Sequence, residues 1–318
     1  MKKIRKIVKR LLWTGIIIFI MMNVIAIFHS YKFTHFADRD IAKTKDPQEL
    51  STVQKIGTLI FGIDNPRPVN DNTPSVAYET LFLKGDKKIE CWNIKVPQAK
   101  GTVILFHGYG GHKSNMLDKA EVFREQGFNT LLVDFMGSGA SEGNQTTIGF
   151  YESEQVKTAF SYLTSIGEKN VYLFGTSMGS VAIMKAVSEY TIQPTGIILE
   201  CPFGSMYKTV SARFRIMNTP TFPMAGLLVF WGGVQNGFWA FGHNPSEYSK
   251  QILCPTLLLY GQQDDKVSQA EIDEIFENLG GQKELKIYPN AGHENYLIQY
   301  KEKWTDDIGQ FITANKSE

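Results

Sequence analysis

The sequence predicts an α/β domain with a mostly parallel sheet and helices on both faces, an expectation that rests on three observations. Short, continuously apolar segments recur from Thr102 onward. Each ends at a glycine, acidic or turn residue, and helical stretches separate most of them. Strands buried on both faces read as unbroken apolar runs because neither face meets water, and parallel neighbours need a crossover that a helix supplies. The chain of 318 residues, 43% of them hydrophobic, is long enough for one large core or two small ones.

The elements follow in order. Val76 to Leu83 and Lys88 to Val96 read as two strands of an antiparallel hairpin around a Gly85-Asp86 turn. Thr102 to Phe106 runs into His107-Gly108, Phe128 to Val133 into Asp134, and Val171 to Phe174 into Gly175. Gly196 to Leu199 ends at Glu200, Thr256 to Tyr260 at Gly261, and Leu285 to Tyr288 at Pro289. Helical patterns are expected near 115–126, 150–166, 178–190, 268–279 and 294–313.

One interval breaks the rhythm. From Cys201 to Ile252 the chain is too long for a simple connection and carries ten Phe, Tyr and Trp residues, Phe203 and Trp239 among them. We read about 202–252 as a mostly helical cap over the carboxyl ends of the strands, where open α/β sheets bind ligands.

The amino-terminal region has a different composition. Lys2, Lys3, Arg5, Lys6, Lys9 and Arg10 crowd the first ten positions, and Leu11 to Phe28 follows without a charge. As a helix that run measures about 27 Å, close to the hydrocarbon thickness of a bilayer. A cleaved signal peptide would have to use Val24-Ile25-Ala26, which lies inside the apolar run rather than after it. An uncleaved anchor is therefore expected, with its basic flank cytoplasmic and the remainder extracytoplasmic, periplasmic in a Gram-negative cell.

The expected organisation is 1–30 basic flank and transmembrane anchor, 31–74 tether, and 75–318 α/β domain. In the tether, Asp46 and Pro47 look like the N-cap and first position of a short helix. A net charge of +1 suggests no nucleic-acid partner, and Cys91, Cys201 and Cys254 are too few and odd in number for a disulfide framework.

Gly175-Thr176-Ser177-Met178-Gly179 follows an apolar strand and opens a helix, the setting in which G-x-S-x-G forms a tight turn exposing a nucleophilic serine. A serine hydroxyl needs a base, and His293, in the loop after the last strand, is best placed of the six histidines. His29 and His35 lie beside the anchor, His243 lies in the cap, and His112 precedes the serine. His107 also precedes it and is read as packing beneath its loop. The orienting acid is Asp264 or Asp265, with Asp264 preferred; it would fix the imidazole tautomer. The oxyanion hole needs two backbone N–H donors, expected from Met178 and Tyr109.

In order and spacing, His107-Gly108-Tyr109-Gly110, Asp134 through Gly143, the Ser177 pentapeptide, Pro255 through Gly261, Asp264 and Gly292-His293 resemble the alpha/beta-hydrolase superfamily. The likeness is to its serine-aminopeptidase-like and monoacylglycerol-lipase-like branch in particular. It implies a Ser177–Asp264–His293 triad and no cofactor or metal. One departure is Met136, where the family often has arginine.

The expected function is hydrolysis of a carboxylic ester, with thioester and amide open, of a small-molecule or lipid-like substrate carrying an apolar acyl group. An aminopeptidase would need an acidic group for a free amine, for which Glu200 and Glu294 are candidates. Acyl transfer by the same triad and a non-catalytic, membrane-tethered binding protein are the alternatives. The oligomeric state is not legible.

Overall fold

A computed structural model describes residues 1–37, 41–45 and 49–315. Its helices are α1 (Lys2–Thr34), α2 (Thr52–Phe61), α3 (Leu117–Glu125), α4 (Glu152–Ser165), α5 (Met178–Glu189), α6 (Met206–Ile216), α7 (Met224–Asn236), α8 (Pro245–Tyr248), α9 (Gln269–Asn278), α10 (Tyr296–Gln299) and α11 (Lys301–Ala314). Its strands are β1 (Glu79–Lys84), β2 (Lys88–Ile94), β3 (Thr102–Phe106), β4 (Asn129–Val133), β5 (Val171–Thr176), β6 (Gly196–Glu200), β7 (Thr256–Gly261) and β8 (Lys283–Tyr288).

The eight strands form one sheet in the order β1-β2-β4-β3-β5-β6-β7-β8. The β1–β2 and β2–β4 pairs are antiparallel, and every pair from β4 to β8 is parallel. The period-2 alternation of strands sorts the apolar runs onto two faces. On β3, Ile104 and Phe106 join a core with α4, α5 and α9, while Val103 and Leu105 join one with α3 and α11. Because β4 and β5 lie on opposite sides of β3, the chain order reverses there, which leaves a crevice at the carboxyl ends of β3 and β5.

The interval expected to form a cap contains α6, α7 and α8. In the amino-terminal region α1 extends over 33 residues, and its apolar window is only 6% buried. It is long and apolar enough to cross a membrane. The helix start expected at Asp46 and Pro47 lies outside the described residues; α2 begins after Ser51, whose hydroxyl accepts from Gln54 N while Gln54 Oε1 accepts from Ser51 N. No residue of α2 is buried.

The segment that follows α2 is held more tightly. Arg67 donates to the carbonyls of Gly139, Ser141 and Gly143, and Asn70 donates to Asp134 Oδ2 at 2.8 Å. This pins the segment to the loop after β4. The same Asp134 receives Lys113 Nζ at 2.6 Å in a pair with no solvent exposure on either side chain.

Candidate active site

The turn from β5 into α5 is shaped by two close approaches. A Cβ on Gly179 would lie 2.4 Å from the Phe106 carbonyl oxygen, and one on Gly175 would lie 2.5 Å from Gly179 C. Only glycine leaves room at both. Ser177 between them has φ 51° and ψ −110°, a conformation that costs a non-glycine residue about 1–3 kcal/mol. Neighbouring bonds hold it there: Ser177 N donates to Glu200 O at 2.7 Å, and Ser180 Oγ lies 2.5 Å from Gly175 O.

His293 Nε2 lies 3.0 Å from Ser177 Oγ, and His293 Nδ1 lies 2.7 Å from Asp264 Oδ2. An ionised carboxylate only accepts, so Nδ1 carries the proton and Nε2 is left to accept from the serine hydroxyl. The Asp264 side chain is wholly buried, and its other oxygen accepts from Lys266 N at 2.8 Å and Val267 N at 2.9 Å. Of the two aspartates, Asp264 is the one bonded to the imidazole. Burial opposes charge on His293, but the adjacent Cys201 sulfur and the Asp264 carboxylate outweigh it and raise its pKa above the ordinary 6.5.

The loop after β3 stands against Ser177: a Cβ on Gly108 would be 3.6 Å from Ser177 Cβ. Tyr109 follows Gly108, and Met178 opens α5. Among the described residues, neither backbone N–H has a protein acceptor. His107, 1% exposed, packs under this loop, with Nε2 accepting from Phe135 N at 3.1 Å and Nδ1 donating to Gly108 O at 2.8 Å. His243 is buried in the cap against Ile148 O and Tyr248 OH, and burial pushes its pKa down to about 4. Met136 is buried, and its N donates to Gln155 Oε1.

Three features had no sequence signal pointing to the site. The first is a buried polar chain. Lys119 Nζ lies 3.5 Å from Glu200 Oε1 and donates to Asn295 Oδ1 at 2.7 Å. Glu200 also accepts from Thr176 Oγ1 at 3.2 Å and Trp304 Nε1 at 3.1 Å. Lys119 thus ties the strand ends beneath Ser177 to the loop that carries His293. Glu200, considered above for amine recognition, has its carboxylate committed to this chain, whereas Glu294 is exposed and accepts from Gly292 N.

The second feature is the last turn of α1. Phe33 stacks on the Tyr109 ring at 4.5 Å, and Tyr109 OH donates to Phe33 O at 2.7 Å. The third is Cys201, buried directly after β6 with φ 44°. Its sulfur, a carboxylate oxygen of Asp264 and a ring nitrogen of His293 lie within 4.8 Å of one another, a donor set with metal-ligand chemistry. The hydrogen bonds of His293 to Asp264 and Ser177 already engage two of its members, so the cluster needs no metal to account for it.

A cleft of about 630 Å³ between Lys100, Phe128 and Ala314 lies at the amino ends of β3 and β4, the end of an open α/β sheet away from its ligand crevice.

The sequence model of the serine aminopeptidase S33 family matches residues 97–230. An uncharacterized protein of Bacillus subtilis, YqkD, is 24% identical over 70% of this chain and 75% of its own length. An uncharacterized membrane protein of Saccharomyces cerevisiae is 23% identical over 74% of this chain and 80% of its own. Among solved structures, an esterase of Pyrococcus furiosus superposes with a TM-score of 0.68 at 24% identity, over 79% of this chain and 97% of that one. The strand order, the turn that presents Ser177 and these likenesses agree: the chain has the alpha/beta-hydrolase fold and is similar to members of that superfamily.

Proposed function

We propose that the protein is a membrane-anchored serine hydrolase that cleaves a carboxylic ester through an acyl-enzyme on Ser177. The observation that carries this reading is the His293 ring bridging Ser177 Oγ and Asp264 Oδ2. In the first half-reaction His293 Nε2 takes the serine proton as Oγ attacks the ester carbonyl, and Asp264 stabilises the resulting imidazolium. The Tyr109 and Met178 N–H groups receive the oxyanion. His293 then returns the proton to the departing alcohol, and water enters by the same route to release the acid.

An ester is favoured over a peptide with a free amino terminus because the buried Glu200 carboxylate is taken up by Lys119, Trp304 and Thr176. The likeness to an esterase from Pyrococcus furiosus points the same way. Retention of α1 as an anchor is supported by its contacts. Cleavage after Ala26 would sever the helix within the stretch that packs on the cap, where Asn23 accepts from Trp231 and Ile27 O from Gln235. The six basic residues before Leu11 favour an amino terminus in the cytoplasm with the active site outside it.

The test is labelling of the full chain, in membranes, with a fluorophosphonate probe. Wild type should label and Ser177→Ala should not. Failure of wild type to label, or equal labelling of both, removes Ser177 as the nucleophile.

A further inference from the structure

The cap does more than cover the site: one of its helices runs along the anchor. Four hydrogen bonds join α7 to α1, from Trp231 Nε1 to Asn23 Oδ1 at 3.0 Å, Gln235 Nε2 to Ile27 O at 2.9 Å, Ser30 Oγ to Gln235 Oε1 at 2.9 Å, and Asn236 Nδ2 to Thr34 Oγ1 at 3.2 Å. The partners advance in the same direction on both helices, so the helices run parallel. Small residues let them approach: Ala26 and Ser30 are buried, and a Cβ on Gly232 would be 3.8 Å from Ser30 Cβ.

This register sets the depth of α7. Asn23 lies five residues inside the end of the uncharged run at Phe28, about 7.5 Å along a helix. From Trp231, α7 extends seven more residues back to Met224, about 10 Å further toward the amino-terminal side of that run. The composition suits such a position. No Asp, Glu, Lys or Arg occurs from Ile216 to Ser246. Just before that stretch, the Arg213 guanidinium sits 5.3 Å from the Phe33 ring, beyond the end of the apolar run.

The face of α7 turned to the protein carries Ala225, Val229, Gly233 and Asn236. Its outer edge carries Phe230 and Val234, 40% and 54% exposed, and the turn before it carries Phe222, 83% exposed. Left in water, such an apolar edge is unfavourable by about 25 cal/mol per Å². Asn23, Ser30 and Thr34, which break the apolar surface of α1 facing the cap, each bond α7, and Asn23 Nδ2 donates to Phe19 O, so these polar groups are satisfied as membrane depth requires.

We propose that α7 is embedded in the same bilayer as α1, with Phe222, Phe230 and Val234 against lipid acyl chains. The cap is then a membrane element rather than a lid in water. This rests on the reading of α1 as an anchor and is independent of the catalytic reading.

The test places a bimane fluorophore at single cysteines in the full chain, on a Cys254→Ala background, in phosphatidylcholine vesicles whose lipids carry a nitroxide on the acyl chain. Phe222→Cys and Phe230→Cys should be quenched as strongly as Phe19→Cys on α1. Both should exceed Ile166→Cys, at the amino end of the sheet, by at least about threefold, because only buried probes meet the acyl chains. Water-soluble iodide should give the reverse order.

If Phe222→Cys and Phe230→Cys behave like Ile166→Cys while Phe19→Cys is quenched, the cap lies outside the bilayer and the proposal is overturned. If Phe19→Cys is also unquenched, the anchor reading falls and takes the proposal with it. Adding Ser177→Ala should leave the quenching pattern unchanged, so loss of fluorophosphonate labelling and loss of lipid contact are read separately.

Discussion

Ser177 stands between two walls of different construction. The wall made by the sheet consists of strand ends whose positions follow from hydrogen-bond register: Thr176 pairs with Glu200, and Asp264 and His293 lie in the loops after β7 and β8. Beneath it Lys119, Glu200, Thr176, Trp304 and Asn295 form one polar chain. The opposite wall is a collar made of the last turn of α1, the segment near Asn65 and the Tyr109 loop. It is held by one ring stack and a few hydrogen bonds, and its carrier, α1, is mostly exposed to its surroundings. The comparison teaches that the sheet side should tolerate almost no change, whereas the collar should respond in small steps.

The largest effect should come from the acid. Asp264→Asn keeps the shape but removes the acceptor that holds Nδ1 protonated, and kcat on an activated ester should fall about 10⁴-fold. A loss under tenfold would show that the imidazole is oriented by other groups.

Next is the chain beneath the site. Lys119→Met leaves Glu200 buried without its cation, which should cost about 3–5 kcal/mol in a denaturant titration. Lys119→Met combined with Glu200→Met should recover part of that loss. If the single variant unfolds like wild type, the network does not brace the sheet side.

The acid limb of the pH–rate profile sharpens the comparison further. A protonated His293 cannot take the serine proton, and its pKa is raised by Cys201 and Asp264. The rate of kcat/KM should therefore rise with pH through a midpoint above 6.5, and the midpoint should fall in Cys201→Ala. An acid limb at or below 6.5 would contradict the raised value.

The smallest effects belong to the collar. Phe33→Ala removes the ring stacked on Tyr109, a contact of about 0.5–1.5 kcal/mol, and should lower kcat/KM by no more than about tenfold. Tyr109→Phe keeps the backbone N–H and removes the hydroxyl's bonds to Phe33 O and Asn65 Nδ2, about 1 kcal/mol each in a thermal melt. A collapse of activity in either variant would make the collar as stringent as the sheet.

Much of the fold was legible because strands buried on both faces leave a simple trace, unbroken apolar runs such as Thr102–Phe106 that stop at turn residues. Ser177 and His293 were legible for a related reason: tight turns at strand ends demand local residues, above all Gly175 and Gly179. Lys119 was not legible. A lysine on a helix reads as solvated unless its partner is known, and Glu200 lies far along the chain. Phe33 was taken as part of a tether because its place on Tyr109 depends on where α1 ends relative to the β3 loop. Likewise the aromatics of α7 read as a cap packed over the pocket in preference to one touching lipid, because its pairing with α1 joins segments 208 residues apart.

By itself the sequence determined the strand-and-helix alternation, the glycine-bounded turn at Ser177, the chain order of Ser177, Asp264 and His293, and an apolar run long enough for a membrane. These depend on neighbours within a few residues, through backbone sterics and the periodic burial of side chains. Tertiary structure decided that Asp264, preferred already on sequence, bonds His293, that Lys119 closes a buried chain beneath the site, and that α1 contacts both the Tyr109 loop and α7. Those contacts join segments distant in sequence, and their energies depend on burial and direction, which exist only once the chain has folded.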